Sequence, residues 1–388
     1  MPFRNLSLLY IIKLSKWFML YMPIGYLYFL ENDFSQFEYL TLHAIYSGVI
    51  ALFEVPSGYV ADVWGRKKAL VWGCLMGVIG FAVYSISGEF AYFLIAEILL
   101  GIGQSLISGA DSALLYDTLL ERKQEKKYLL HEGYISALGN VAEVSAALFV
   151  SVFILSTYRQ YYYLQTLVTL VGLIAAFFLV EPKSHQIKLL GNFKEVIAIV
   201  KAVLHGNKVL RNLILFSSII GFSSLTMAWI AQPILEHIEI EKNHFGYWWA
   251  AFNTLVALGS LSAFWLVKRM KIIQSILFTG IPLSLLFFAI ILNTKIAVMI
   301  PLAIFFFIRG TAHPVLKNLI NQLTTSEQRA TVLSVRSLFI RLLFLMMGPL
   351  LGVVSENISL QMAILLCGIT VTIPSALFFF LIKNSIRN

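Results

Sequence analysis

Long apolar runs alternate with short polar breaks along the whole chain. A membrane-spanning helix needs about 20 mostly apolar residues. Runs of that length recur near 12–30, 39–60, 68–87, 90–116, 129–155 and 160–180. A second series follows near 209–235, 244–267, 273–293, 296–321, 330–354 and 359–382. This predicts an all-α membrane protein with twelve transmembrane helices in two six-helix bundles, residues 1–182 and 209–388. A connector, 183–208, lies between them. Within it Phe193, Val196, Ile197, Val200, Val203 and Leu204 recur at helical spacing. That spacing predicts an amphipathic helix on the membrane surface.

The polar breaks set the orientation. Of the 29 Lys and Arg residues, Arg159, Lys242 and Lys295 are those that fall in odd-numbered loops, while the termini and even-numbered loops carry 22. Cytoplasmic loops retain bases, so both termini are expected in the cytoplasm, at the inner membrane of a cell. The N-terminal run MPFRNLSLLYIIKLSKWFML shows no small-residue cleavage site and reads as a retained first span.

Composition agrees with the pattern. The chain is 59% hydrophobic and 13% charged, against about 25% charged in soluble domains. Its net charge of +9 does not point to nucleic acid, because the bases occupy short loops rather than one exposed face. Cys74 and Cys367 lie inside apolar runs, so neither a disulfide framework nor a metal site is expected. No cofactor is implied, and the chain is expected to act as a monomer in the bilayer.

One break combines unusual residues. GYVADVWGRKK, between the second and third spans, sets an acid, a glycine and three bases in one turn. Gly65 allows a tight turn, Asp62 can cap a helix N-terminus, and Arg66 can fork onto a carboxylate. A simpler reading is a topology determinant that only orients the chain. With Gly58, Asp62, Gly65, Arg66 and Lys67 in register, the turn resembles the signature of the major facilitator superfamily. The resemblance implies a secondary transporter whose spans 1, 4, 7 and 10 line a central cavity, with 3, 6, 9 and 12 facing lipid. It also implies a conformational latch. Asp62 would face the start of span 11 near Thr331, and Arg66 would face Asp117. Arg336, near the inner end of span 11, is placed with this latch.

The departures from that pattern matter. The matching turn between spans 8 and 9, FWLVKRMKII, has bases and no acid. In AEILLGIG, Glu97 occupies the place where many proton-coupled relatives carry arginine. Span 5 lacks the GP pair of the drug-antiporter branch, although MGPLLG occurs in span 11.

Ionisable groups at membrane depth are costly and mark function by default. The first half holds Glu54, Glu97, Asp111 and Glu143 within its spans. The second holds Arg309, Lys317, Arg336 and Arg341 and no interior acid. At about 100° per residue, Glu97, Gln104, Ser108 and Asp111 form one stripe of a continuous span 4. Arg309, His313 and Lys317 form another in span 10. Arg309 and Arg341, near mid-membrane, are the expected anion-binding groups, since guanidinium stays charged and chelates carboxylate or phosphate. His313, Gln104, Trp229 and Tyr21 are expected to complete the substrate site. Glu97, Glu54 and Glu143 are the proton-coupling candidates, because a carboxylate moved between wet and dry surroundings changes its pKa. Static pairing of these acids with the arginines is the competing structural explanation.

The chain is therefore expected to move a small anionic or zwitterionic solute by alternating access, coupled to protons. Family prevalence favours export. Proton-coupled import of an anionic nutrient or metal chelate is one alternative, and a transport-inactive receptor is another. No HExxH, GxSxG or clustered histidine set lies in the spans, so an enzyme is not expected.

Overall fold

The computed structural model describes residues 2–182, 201, 206–292, 294–324 and 326–387. The helix expected in the 183–208 connector lies almost wholly outside the described residues. The described residues contain fourteen α-helices and no strand. In the first half these are α1 (Pro2–Trp17), α2 (Gly25–Glu31), α3 (Gln36–Trp64), α4 (Arg66–Ile86), α5 (Phe90–Ile107), α6 (Ala110–Leu120), α7 (Tyr128–Val152) and α8 (Arg159–Phe177). In the second they are α9 (Lys208–His237), α10 (Phe245–Arg269), α11 (Ile272–Ile290), α12 (Lys295–Gln322), α13 (Ser326–Asn357) and α14 (Leu360–Arg387). Helices dominate because lipid offers backbone groups no partner, and a helix satisfies them internally.

Ten helical stretches are long and apolar enough to cross a membrane, and α3 supplies an eleventh that bends by 49° between Gln36–Glu54 and Pro56–Trp64. The first expected span is not one helix. It is split into α1 and α2, of 16 and 7 residues. Pro23 lies in the break, where it has no N–H to give and its ring crowds the preceding turn. The side chain of Gln165 accepts a 2.7 Å hydrogen bond from the Leu20 N–H that the break releases.

The expected straight stripe along span 4 also needs correction. The helix stops at Ile107 and restarts at Ala110. Gly109 adopts φ +88° there, a left-handed conformation that glycine takes without a Cβ penalty. Glu97 and Gln104 therefore share α5, while Asp111 belongs to the first turn of α6.

Contacts divide the chain into two units. The first comprises Met1–Phe34, Ile45–Asn192 and Asn243–Ala250, and the second Ser35–Ala44, Phe193–Lys242 and Ala251–Asn388. The first turns of α3 thus belong to the second unit. There Gly348 and Gly352 of α13 leave room for the α3 backbone: an added Cβ would stand 3.3 Å from Leu40 O and 2.7 Å from Phe37 Cα. Likewise the start of α10 belongs to the first unit, where a Cβ on Gly246 would lie 2.3 Å from Ala147 O of α7.

Inside each unit, glycine pairs bring helices together. In the first, added Cβ atoms at Gly73 of α4 and Gly103 of α5 would meet each other's carbonyl oxygens at 3.0 and 2.8 Å. In the second, they would lie 2.0 Å from Phe307 O at Gly259 of α10 and 2.1 Å from Val256 O at Gly310 of α12. Small residues let backbones approach where lipid provides no hydrophobic drive between helices. Helix α9 forms the centre of the second unit: 72% of its apolar window is buried, against 22–44% in the other spans.

Replacing Gly310 with Val should lower stability by about 1–3 kcal/mol through overpacking, read as thermal unfolding of the detergent-solubilised protein. Gly77→Ala, where an added Cβ meets nothing within 4 Å, should leave the transition unchanged.

Candidate functional site

The turn singled out in the sequence joins α3 to α4 through Gly65, at φ +100°. A side chain there would be strained and would also stand 3.0 Å from Glu181 Oε2. The Glu181 carboxylate accepts the backbone N–H groups of Arg66 and Lys67 at 2.8 and 2.7 Å. An acid thereby caps the positive N-terminus of α4 from the far end of the half. Arg66 turns towards α6, where its guanidinium donates to Ala113 O at 2.6 Å and forms an ion pair with Asp117. Asp62 is half-buried in the last turns of α3. Beside the turn, Asn5 of α1 donates to Val180 O at 2.8 Å and accepts from Val180 N–H at 3.0 Å, tying the two ends of the half together.

Deeper in the first unit, acids meet tyrosines. Glu97 is only 4% exposed, and its Oε1 accepts a 2.6 Å hydrogen bond from the Tyr84 hydroxyl. Tyr84 is held in turn, because its carbonyl accepts from Tyr28 OH at 2.7 Å. Tyr21, in the break between α1 and α2, lies 4.9 Å from Phe81 by ring centroids and within electrostatic reach of Glu97 and Glu143. The structure thus gathers Glu97, Glu143 and Tyr21. Gln104 is partly buried lower on α5, and Glu54 sits at the α3 bend, where its carbonyl accepts from Ser57 OH at 3.0 Å. Asp111 forms an ion pair with Lys13 of α1 and accepts from Ser112 N–H at the start of α6.

The second unit is organised around cations. Arg309 of α12 lies over the Phe306 ring, 5.4 Å from its centroid, a favourable placement for a cation on the negative ring face. His313, one turn along, has Arg309, Lys317 and Arg336 as charged neighbours. Arg341 is partly buried, and its Nε has no hydrogen-bond partner among the described residues. Arg336 is buried against α9, with Nε donating to Ser217 Oγ at 2.5 Å. Trp229 stacks on His43 at 3.7 Å between ring centroids and 14° between planes. Its carbonyl accepts from Tyr39 OH at 3.0 Å.

Several participants were not evident from sequence. Tyr84 lies in span 3, which was expected to face lipid, yet its hydroxyl holds Glu97. In the sequence Lys13 is one of the bases counted near the N-terminus, and Glu181 is the residue that follows span 6. The contacts of Lys13 and Glu181 reach across long stretches of chain, and no local spacing encodes them. The acid–proline pair Glu181–Pro182 ending span 6 was the one available signal, since a carboxylate there can reach a neighbouring helix N-terminus.

Gly65→Ala should destabilise the protein by about 1–3 kcal/mol through backbone strain. Glu181→Gln should cost less, about 0.3–1 kcal/mol, through the weakened helix cap. Thermal unfolding measured in parallel would check the order.

Residues 6–312 match the family model of the Major Facilitator Superfamily. An uncharacterized MFS-type transporter, YxaM, from Bacillus subtilis (strain 168) is 19% identical over 381 residues, covering 92% of this chain and 91% of the relative. An uncharacterized transporter from Buchnera aphidicola subsp. Schizaphis graminum (strain Sg) is 24% identical over 212 residues, covering 55% of this chain. That match spans about half of the relative, 52% of its length. Among solved structures, the nucleoside transporter NupG superposes with a TM-score of 0.80 at 13% identity, covering 98% of this chain and 99% of that one. With a family match over most of its length and the same fold in a solved transporter, this multi-pass membrane protein belongs to the Major Facilitator Superfamily.

Proposed function

We propose that the chain is a secondary active transporter that moves a small anionic or zwitterionic organic solute by alternating access, coupled to protons. The observation that carries this reading is the division of charge. Acids at membrane depth, Glu97 and Glu143, gather around Tyr21 in the first unit. The second unit sets Arg309, Lys317, Arg336 and Arg341 in its spans with no acid in their interiors. A cation that stays charged at membrane depth needs an anion, and guanidinium suits carboxylate and phosphate. Arg309 and Arg341 bind the solute, with His313, Gln104, Trp229 and Tyr21 as further contacts.

Glu97 is the proton site. A carboxylate carried between dry and wet surroundings exchanges its proton, and alternating access supplies that change. Glu54 and Glu143 serve as secondary proton groups. At the cytoplasmic turn Asp62, Gly65, Arg66 and Asp117 form a latch. Its support is the ion pair of Arg66 with Asp117 and the capped helix beginning at Arg66.

Reconstituted vesicles with an imposed pH gradient test the reading. Labelled carboxylates or phosphates should accumulate, and the accumulation should collapse when the gradient is discharged. Glu97→Gln should abolish proton-driven accumulation while solute exchange persists; unchanged accumulation would remove Glu97 from the coupling. Arg309→Gln and Arg341→Gln should each lower anion flux by about tenfold or more, the scale of losing one charged partner. Binding without flux would instead mark a receptor.

A further inference from the structure

We propose that a cleft at one end of the second unit binds an anionic phospholipid, taking its phosphate at the start of α11. The inference goes beyond the transport reading and does not depend on which solute is carried. The cleft encloses about 500 Å³ where the junction of α10 and α11 meets the last turns of α12 and α14. Its lining is amphipathic. Met270, Ile272 and Ile386 are apolar, whereas Lys271, Ser275 and Gln322 are polar. A phospholipid is built the same way, with a charged phosphate joined through glycerol to apolar chains. Beyond the cleft α11 exposes Leu277 and Phe278, an apolar surface suited to those chains.

Polar groups on that lining are unanswered by protein. Ser275 is 2% exposed, yet its hydroxyl makes no hydrogen bond among the described residues. Asn318 also lines the cleft, and its enclosed Nδ2 has no hydrogen-bond partner there. Both groups can donate, as a phosphate oxygen requires. Ile272 and Ile273 open α11 at the cleft wall. The N–H groups of a first turn have no acceptor within their helix, and the helix dipole there favours an anion.

Charge points the same way. VKRMK, at the junction of α10 and α11, contains Lys268, Arg269 and Lys271. Arg329 of α13 donates to Asn321 O, next to Gln322, at 3.4 Å, which brings a further base to that end. The helices that supply the lining, α10, α11, α12 and α14, contain no Asp or Glu. Basic pockets between transmembrane helices on the cytoplasmic side hold lipid headgroups. The retention of bases in even-numbered loops assigns this junction to that side. A free phosphate would use the basic groups alone, whereas a lipid also uses the apolar wall.

Photoreactive phosphatidylglycerol, added to phosphatidylcholine vesicles that hold the full-length protein, tests the site. Peptide mapping should place the label on residues 267–275 and 318–322, and a photoreactive phosphatidylcholine should label them far less. Arg269→Gln combined with Lys271→Gln should raise the phosphatidylglycerol content at half-maximal labelling by about thirtyfold, about fivefold for each base. Ser275→Ala should raise it by about threefold to tenfold with the charges intact. Lys208→Gln removes a base from a separate cleft beside the end of α14 and should leave labelling unchanged. An equal loss in Lys208→Gln would mark diffuse attraction to anionic lipid and overturn the site. So would label spread evenly over the helices, or equal labelling by phosphatidylcholine. Labelling abolished by excess inorganic phosphate would assign the cleft to a free anion and overturn the lipid occupant. Thermal unfolding shows whether each variant is folded. Should the double variant fail to fold, the label position in wild type and the shift in Ser275→Ala still decide.

Discussion

Hydrocarbon offers neither hydrogen-bond partners nor counter-charges, so every polar group placed at membrane depth must be answered by protein or water. Several polar groups of the first unit are met within it. Gln165 takes up the Leu20 N–H released where span 1 breaks. Lys13 faces Asp111, and Tyr84 faces Glu97. The start of α4 is capped by Glu181. The second unit answers differently. Its hydroxyl-rich central helix offers Ser217 to Arg336, and an aromatic face receives Arg309. The Ser217 hydroxyl is a neutral partner for a charged guanidinium.

The same constraint explains where helices break. Spans 1, 2 and 4 are split or bent at Pro23, Pro56 and Gly109, whereas spans 3 and 6 run as the continuous helices α4 and α8. Proline alone does not break a span: Pro233, Pro301, Pro314, Pro349 and Pro374 all lie inside continuous helices of the second half. A full interruption needs a group to receive the freed backbone, as Gln165 does, or a residue that accepts left-handed geometry, as Gly109 does. Interrupted helices place half-helix ends near acids and cations, which is how transporters build ion and solute sites from backbone. The breaks here adjoin Tyr21, Glu54 and Asp111, the residues that also carry ionisable or aromatic chemistry in those spans.

Hydrophobic periodicity made the helices and their order legible, because a long apolar run has few other fates. Charge at depth was legible for the same reason: an arginine in such a run stands out. Angular arithmetic failed where it assumed a straight rod. It joined Gln104 to Asp111 across a turn that only Gly109 could have signalled. Side-chain partners were legible only where the family resemblance named them, as with Arg66 and Asp117. Lys13 and Asp111, or Glu181 and the Arg66 N–H, meet through tertiary structure that no spacing records. The short pieces 35–44 and 243–250, which belong with the other half of the sequence, were hidden because unit membership follows close backbone approach. That approach depends on glycines such as Gly246 and Gly352, whose effect appears only once two helices are side by side.

Fold and solute choice therefore separate cleanly. A backbone that superposes on a nucleoside transporter at 13% identity cannot itself specify what is carried, since fold does not fix function. The distinguishing information lies in side chains that the fold does not require. Glycine pairs hold the helices whether or not Arg309, Arg336 and Arg341 are charged. A neutral residue of similar size at any of the three would relieve a desolvation cost that packing alone does nothing to offset. What the carrier selects must therefore be read from side chains of this kind and not from the backbone path.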